Sequence, residues 1–229
     1  EAIDYDYERN PDDPRVRHAL TLEVDDFGNV LKHVAIGYRR SQSPLSEEQD
    51  RKKQTTTLIT YTENRFTVPQ GHTEPQDSSV AIDEIDDYRT PLLCETRTYE
   101  LTGFEPENNA ERFGFVEWSR DNFALLASAE KIPYEQTANR TTEQKRLIEH
   151  VRTLFRKDDL TALLPLGQVQ PLALPGETYK LAFTPGLVTQ VYVRDGQDLL
   201  PAPADILEGP GGDGGGYIDL DKDGCWWIP

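Results

Sequence analysis

The carboxylates near the end of the chain have a spacing that could hold a metal ion. Asp219, Asp221 and Asp223 alternate along the chain, and Gly224 follows them. Calcium loops of the EF-hand type also place oxygen ligands at alternate positions, with a glycine at the sharp turn. The bidentate acid of such a loop would fall beyond Pro229, and no helical pattern follows the loop. Two interpretations therefore stay open, a calcium site and a hairpin turn with a solvated acidic strand before it.

A hydrolytic site is the second chemistry to consider. Cys94 with a histidine could act as nucleophile and base, but Cys94 lies in a strand pattern, where cysteine more often packs in the core. The chain has no HxxxH, HExxH, GxSxG or GxxxxGK[ST] motif, so zinc, nucleophile-elbow and P-loop chemistry lack their spacing. The glycine-rich run at 209–216 is directly followed by neither a helix pattern nor a lysine, and it is interpreted as a linker. The carboxylates that could pair as catalytic acids stand in a polar loop, residues 68–87: Asp83, Glu84, Asp86 and Asp87.

Length and charge limit the classes of protein to consider. The chain has 229 residues and a formal net charge of −17, and its length fits one large domain or two small ones. The acidic balance argues against nucleic-acid binding and against docking on an anionic membrane by charge. Its two cysteines, Cys94 and Cys225, are too few for a disulfide framework, and whether they form a bridge stays open.

Alternating apolar residues predict strands over much of the chain. The clearest case is a hairpin, because Leu20, Leu22 and Val24 alternate with polar residues and the pattern resumes at Val30 after an acidic turn at 26–29. Glycine and asparagine tolerate the positive φ of such turns, so we assign structural turn roles to Gly28, Asn29 and Gly224. Further strands are predicted at residues 3–7, 55–62, 92–101, 179–183 and 187–193.

Two amphipathic helices are predicted in the middle of the chain. Asp121 can cap a helix over residues 122–130. Thr141 opens a capping-box pattern, with Gln144 three residues later, and the following apolar residues have helical spacing, which predicts a helix to residue 157. A short helix is also predicted within residues 46–53. The fold class that follows is mainly β with two helices (α+β), built from antiparallel hairpins and a curved sheet.

Composition suggests three segments of one structural unit. Residues 1–105 form a β-rich hairpin segment with the acidic loop 68–87, residues 106–160 a helical segment, and residues 161–229 a Pro/Gly-rich β segment. The chain begins without Met, and both of its ends look like strands. This indicates an internal piece of a longer protein.

Five stretches of the sequence resemble one protein family. They are YERNPDDPR at 7–15, LEVDDFGNVL at 22–31, PLLCETRTYEL at 91–101, KIPYEQTANR at 131–140 and DKDGCWWIP at 221–229. All five are similar to the B component of the bacterial tripartite insecticidal toxin complexes (Tc toxins), in its SpvB-like middle/C-terminal region associated with Rhs/YD repeats. The resemblance spans essentially the whole chain.

The resemblance implies a secreted, non-catalytic structural segment without a cofactor. In that family the B component joins the C component in a hollow β-sheet shell, which encloses the cytotoxic part of the C component until the pore-forming A component delivers it. The implied partners are therefore the C component and the rest of the same chain, and indirectly the A component, with no nucleic acid and no direct membrane contact. The self-cleaving aspartyl protease of the family belongs to the C component, and no residue here matches it. A hydrolase-like domain using Cys94 or the loop carboxylates with a histidine, or a calcium-stapled binding module, stays as the alternative.

Overall fold

The computed structural model describes residues 1–8, 10–69, 90–199, 202–209 and 214–229. The strands of these ranges are β1 Ala2–Asp6, β2 Arg15–Val24, β3 Val30–Gly37, β4 Leu58–Phe66, β5 Val68–Pro69, β6 Leu93–Thr102, β7 Glu130–Ile132, β8 Gln144–Phe155, β9 Gln168–Val169, β10 Pro175–Phe183, β11 Val193–Arg194, β12 Gln197–Asp198 and β13 Trp226–Ile228. The helices are α1 Glu48–Gln54, α2 Phe115–Ser128 and α3 Pro203–Leu207, with a 3-10 turn at Glu107–Asn109 and a π turn at Leu187–Val191. Strands dominate and most pair antiparallel, so the predicted α+β class with antiparallel hairpins is confirmed.

The chain divides into two compact units. The first contains residues 1–63, 98–132 and 138–146, and the second contains residues 64–97, 133–137 and 147–229. β4, β6 and β8 contribute residues to both units. Among the described residues, no helix has the length and apolar character needed to cross a membrane.

The first unit is a sheet with α2 packed on one face. Its strand order is β1-β2-β3-β4-β6-β8, and β7 pairs parallel with β8. One face of the strands is apolar at every second position, and its side chains form a core with Trp118 and Leu126 of α2. The strand residues of this core are Leu20, Leu22, Val34, Ile36, Ile59, Tyr61 and Leu101.

The predicted hairpin joins β2 to β3 in this unit. Asp25 accepts backbone N–H groups from Phe27 at 3.0 Å and Asn29 at 2.8 Å, and Gly28 has a φ of 83°. The turn is therefore stabilised by a short acidic side chain that satisfies local backbone donors. His18 of β2 is buried, and its Nδ1 atom lies 2.9 Å from the Tyr38 hydroxyl oxygen.

The second unit contains the remaining parts of β4, β6 and β8, together with β10 and β13. β8 pairs antiparallel with β10, which pairs antiparallel with β13. β11 and β12 form a separate hairpin, and β5 pairs parallel with β9. Two small apolar clusters lie in this unit, one around Cys94 and Phe155 and the other around Val188, Leu207 and Trp226.

The predicted helix over residues 141–157 is wrong, because residues 144–155 form the long strand β8. Both faces of this strand are partly buried, since Gln144, Lys145, His150 and Phe155 are all covered. A strand covered on both faces loses clean alternation, and its apolar residues then match helical spacing by chance. Pairing in the sheet outweighs the local capping-box signal, as tertiary context commonly does.

Two other predicted elements differ from the structure. The helix expected at 122–130 begins earlier, at Phe115, and is interrupted at Arg120–Phe123, where Asp121 has a φ of 49° and therefore lies inside the break instead of capping a helix. Leu126 and Ala129, both within the range of the predicted helix, are nevertheless buried. The strand expected at 187–193 is instead a π turn over Leu187–Val191 followed by the two-residue strand β11.

Parts of the acidic loop 68–87 lie outside the described residues. Val68 and Pro69 form β5, whereas Asp83, Glu84, Asp86 and Asp87 fall in the range that the structure does not describe. The glycine-rich stretch 209–216 is described only at residue 209 and at residues 214–216.

Two glycines with similar backbone angles separate the effect of strain from that of close packing. Gly28 has a φ of +83° with nothing within 4 Å of an added Cβ, whereas Gly103 has a φ of +79° and an added Cβ would lie 2.0 Å from the Thr142 carbonyl oxygen. We expect Gly28→Ala to lower the free energy of unfolding by about 1 kcal/mol. Gly103→Ala should cost about 1–3 kcal/mol more because the backbone of Thr142 must move. Chemical denaturation of both variants measures the difference, and equal losses would contradict the close approach.

Candidate functional site

A buried carboxylate, that of Glu95, gathers the polar contacts of the second unit. Its side chain is 4% exposed. Its Oε1 atom lies 2.7 Å from Nε2 of His150, 2.9 Å from an Nη atom of Arg97 and 3.1 Å from Nε of Arg152. One oxygen therefore accepts from three side chains, which we call the Glu95 cluster.

Two neighbouring strands place these groups together. Glu95 and Arg97 are two residues apart on β6, and His150 and Arg152 are two residues apart on β8. Residues i and i+2 of a strand point to the same face, and β6 and β8 are adjacent in the sheet. Each strand therefore presents a pair of polar side chains to the same side.

The charges around Glu95 keep it ionised. Burial alone would raise the pKa of this carboxyl, but the hydrogen bond from His150 and the positive charge of Arg97 outweigh burial, and the pKa falls to about 2. A carboxylate that is charged throughout the neutral range accepts hydrogen bonds and does not exchange protons there. The cluster is thus suited to fixing neighbouring groups and unsuited to general acid–base catalysis.

The end of the chain docks on this cluster through Arg152. The Arg152 guanidinium lies 4.5 Å from the centre of the Trp227 ring, and an Nη atom of Arg152 lies 2.6 Å from Oδ2 of Asp221. The edge of the same indole meets the His150 ring at a centroid distance of 4.7 Å. One arginine therefore joins the buried carboxylate of β6, the acidic turn before β13 and the aromatic ring of β13.

The three acids of the candidate calcium loop make other contacts in the structure. Asp219 accepts the backbone N–H groups of Asp223 and Gly224 at 3.1 and 3.0 Å. Asp221 pairs with Arg152, and Asp223 accepts the backbone N–H of Cys225 at 2.9 Å. Within the described ranges, no group of three or more His, Cys, Asp or Glu is placed to hold a metal ion. Calcium binding stays a prediction, and these contacts favour the hairpin-turn interpretation.

Cys94 and Cys225 are both free thiols in the structure. Cys94 is 1% exposed, its Sγ donates to the carbonyl oxygen of Arg65 at 3.2 Å, and burial raises its pKa to about 11. Burial, together with the carboxylate of Asp223, raises the pKa of Cys225 to about 12. A cysteine nucleophile needs the thiolate form, so neither site is prepared for covalent catalysis.

Sequence reasoning missed the Glu95 cluster because its members are far apart along the chain. The spacing within each strand carried a signal, since Glu95 with Arg97 and His150 with Arg152 each form an i, i+2 polar pair inside an apolar strand. The predicted helix over 141–157 hid the second pair.

Comparison with known proteins points to one family. Residues 1–76 match the family model described as the insecticide toxin TcdB middle/C-terminal region. A comparison with curated protein sequences found no match.

Solved structures of the same toxins share the fold. The chain is similar to a TcdB2-TccC3-Cdc42 crystal structure with a TM-score of 0.56 at 16% identity, covering 98% of this chain and 10% of that one. It is also similar to TcdB2-TccC3 without the hypervariable C-terminal region (TM-score 0.52, 16% identity, the same coverage). A third similar structure is the Photorhabdus luminescens Tc holotoxin pore with a mutated TccC3 (TM-score 0.52, 15% identity, 98% of this chain and 10% of that one). The expected resemblance to a Tc toxin B component is confirmed, in sequence over the first third of the chain and in fold over nearly all of it. The chain spans about a tenth of the length of these relatives.

Replacing the buried carboxylate should destabilise the protein far more than replacing an exposed one on the neighbouring strand. Glu95→Gln leaves Arg97 and Arg152 without their shared counterion, and we expect a loss of about 3–5 kcal/mol in the free energy of unfolding. The control is Glu149→Gln, because Glu149 pairs with Lys180 at 2.5 Å on the surface, where such a pair contributes less than about 1 kcal/mol.

The stability of the unmodified protein and of Glu95→Gln should also depend differently on pH. The folded-state pKa of Glu95 is about 2, against an ordinary value of 4.5, so its stabilisation is complete above pH 4.5 and is lost as the pH falls towards 2. The stability difference between the unmodified protein and Glu95→Gln should therefore stay constant above about pH 5 and shrink below it. Urea denaturation at several pH values measures this, and a difference that does not change with pH would contradict the assignment.

Thiol labelling tests the state of the cysteines. We expect Cys94 to react with an alkylating reagent at neutral pH only as fast as the protein unfolds, because its sulfur is buried and protonated. Cys94→Ala and Cys225→Ala identify the reacting residue by mass spectrometry. Rapid modification of Cys94 in the folded protein would reopen the nucleophile hypothesis.

Proposed function

We propose that this chain is a non-catalytic segment of the B component of a Tc toxin complex, forming part of a β-sheet shell around the cytotoxic portion of the C component. The observation that carries this proposal is the fold similarity over 98% of the chain to TcdB2 in complexes with TccC3. The match of residues 1–76 to the TcdB middle/C-terminal region is independent support from sequence.

The polar chemistry of the chain supports a structural role. The buried carboxylate of Glu95 is held ionised by its neighbours, and Cys94 donates to a backbone carbonyl. Within the described residues, neither Glu95 nor Cys94 is part of a nucleophile–base pair of the kind that covalent hydrolysis requires. Their contacts instead join strands within the second unit.

The proposed partners follow from the same similarity. They are the C component and the rest of the parent chain, with the A component reached only through the assembled complex, and the proposed location is a secreted toxin complex. The net charge of −17 suits a surface that stays soluble and repels anionic membranes and nucleic acid.

Protease protection of the cargo tests this function. The full-length B component that carries this chain would be co-expressed with its C component, and the cytotoxic portion would be probed with a protease. We expect protection in the unmodified complex and its loss in Trp227→Ala. Trp227 is 2% exposed, and its truncation should destabilise the segment by about 3–5 kcal/mol.

Two control variants should leave the protection of the cargo unchanged. Glu149→Gln should protect the cargo as the unmodified complex does, and Cys94→Ala should leave both protection and toxicity unchanged. Hydrogen exchange would report whether this segment is unfolded in Trp227→Ala. A cargo that stays protected while the segment is unfolded would refute the proposed wall role.

A further inference from the structure

A cavity of about 570 Å³ opens in the first unit, and no residue of the Glu95 cluster lines it. Its volume falls in the range of small-molecule sites. Its lining comes from β1, β2 and the connection between them, from the connection between β3 and α1, and from the segment that precedes α2. The proposed wall function does not use it.

Buried polar contacts hold one side of this cavity. Arg40, which is 7% exposed, donates to Oε2 of Glu8 at 3.0 Å and to the carbonyl oxygen of Asp13 at 2.9 Å. The carboxylate of Asp13 accepts the backbone N–H groups of Ser41 and Gln42 at 3.0 and 3.2 Å. These bonds tie the segment before β2 to the connection after β3, so the cavity is formed before any ligand enters.

Another set of polar side chains lines the cavity. Among the described residues, these side chains form no hydrogen bond and no ion pair: Asp12, Arg39, Glu105, Asn109, Glu111 and Arg112. They offer guanidinium donors, carboxylate acceptors and one amide that is both. Such a set can make directed hydrogen bonds to a ligand without first breaking hydrogen bonds or ion pairs of its own.

The charges of the lining nearly cancel. Three arginines stand beside four carboxylates, namely Arg39, Arg40 and Arg112 beside Asp12, Asp13, Glu105 and Glu111. A phosphate or a polycation would therefore meet groups of both signs in similar number and gain little net attraction. A ligand whose every polar group both donates and accepts hydrogen bonds matches this lining better.

An aromatic wall completes the cavity. The ring of Tyr5 is 41% exposed, the Arg112 guanidinium lies 5.2 Å from its centre, and the Tyr7 ring stacks beside it at 6.2 Å. Tyrosine combines a flat apolar ring with a polar tip, which suits the alternating C–H and hydroxyl groups of a pyranose.

We infer that this cavity binds a neutral oligosaccharide, with one or two hexose units packed beside the Tyr5–Arg112 pair and hydrogen-bonded to the arginines and carboxylates of the lining. Sugar hydroxyls both donate and accept, so they bridge Arg112 to Glu105 or Glu111 without needing a net charge. The inference is independent of the proposed wall function, because a wall segment needs no sugar and a sugar site needs no shell.

Ligand-observed NMR and calorimetry with defined sugars test the inference. The full-length protein that carries this chain would be titrated at millimolar concentration with lactose, maltose, cellobiose and diacetylchitobiose. We expect at least one disaccharide to bind, and the double variant Glu105→Gln/Arg112→Ala to weaken it about ten-fold or more. The matched control is Glu48→Gln, an exposed acid of α1 outside the cavity, which should bind the sugar normally.

The outcomes decide between ligand classes. The double variant removes the Arg112–Tyr5 cation–π contact, which is a weak interaction at an exposed ring, and no hydrogen bond or ion pair of the described fold. Its melting temperature should therefore change little, and this separates lost binding from lost folding. A parallel arm uses beads coated with a glycoprotein bearing terminal neutral hexoses. Capture on beads without binding of free disaccharides, with the same variant sensitivity, assigns a surface glycan as the source. Absence of sugar binding in both arms, equal binding by the double variant, or binding of hexaglutamate peptide or inorganic phosphate in place of sugar would overturn the inference.

Discussion

The buried negative charge of Glu95 is the constraint on which the second unit depends. A carboxylate removed from water is tolerated only when charged and hydrogen-bonding partners surround it, and here those partners come from β6 itself and from β8. The requirement reaches further through Arg152, which also holds Asp221 and Trp227. The position of β13 is therefore tied to a charge that lies on β6.

The stretches that resemble the toxin family acquire physical roles in the structure. Asp25 of the second stretch closes the β2–β3 turn, Glu95 of the third centres the polar cluster, and Asp221 and Trp227 of the fifth dock on Arg152. In the first stretch, Glu8 bonds to the buried Arg40. The carboxylates among them each accept a hydrogen bond from a backbone or side-chain donor, and the Trp227 ring packs against the Arg152 guanidinium.

Local chemistry was enough to predict some of this fold and too little for the rest. The β2–β3 hairpin was predictable because Asp25, Gly28 and Asn29 encode its turn within five residues. β8 was not, because its burial on both faces is decided by strands far away in sequence, and burial of Gln144 and His150 defies the expectation that polar residues face water. The Glu95 cluster could not be predicted for the same reason, since its side chains come together only when β6 and β8 are neighbours in the sheet.

The Glu95 cluster compensates for the weak apolar alternation of β8, because it fixes the register of this strand. A strand that is half-buried on both faces specifies its register poorly through apolar contacts, and a slip by one residue turns every side chain to the opposite face. Such a slip would carry His150 and Arg152 away from Glu95 and leave a buried carboxylate and Arg97 unbalanced, at a cost of several kcal/mol. The apolar pattern of β8 alone would allow two registers. Only one of them pairs His150 and Arg152 with Glu95, so the charges select a single structure.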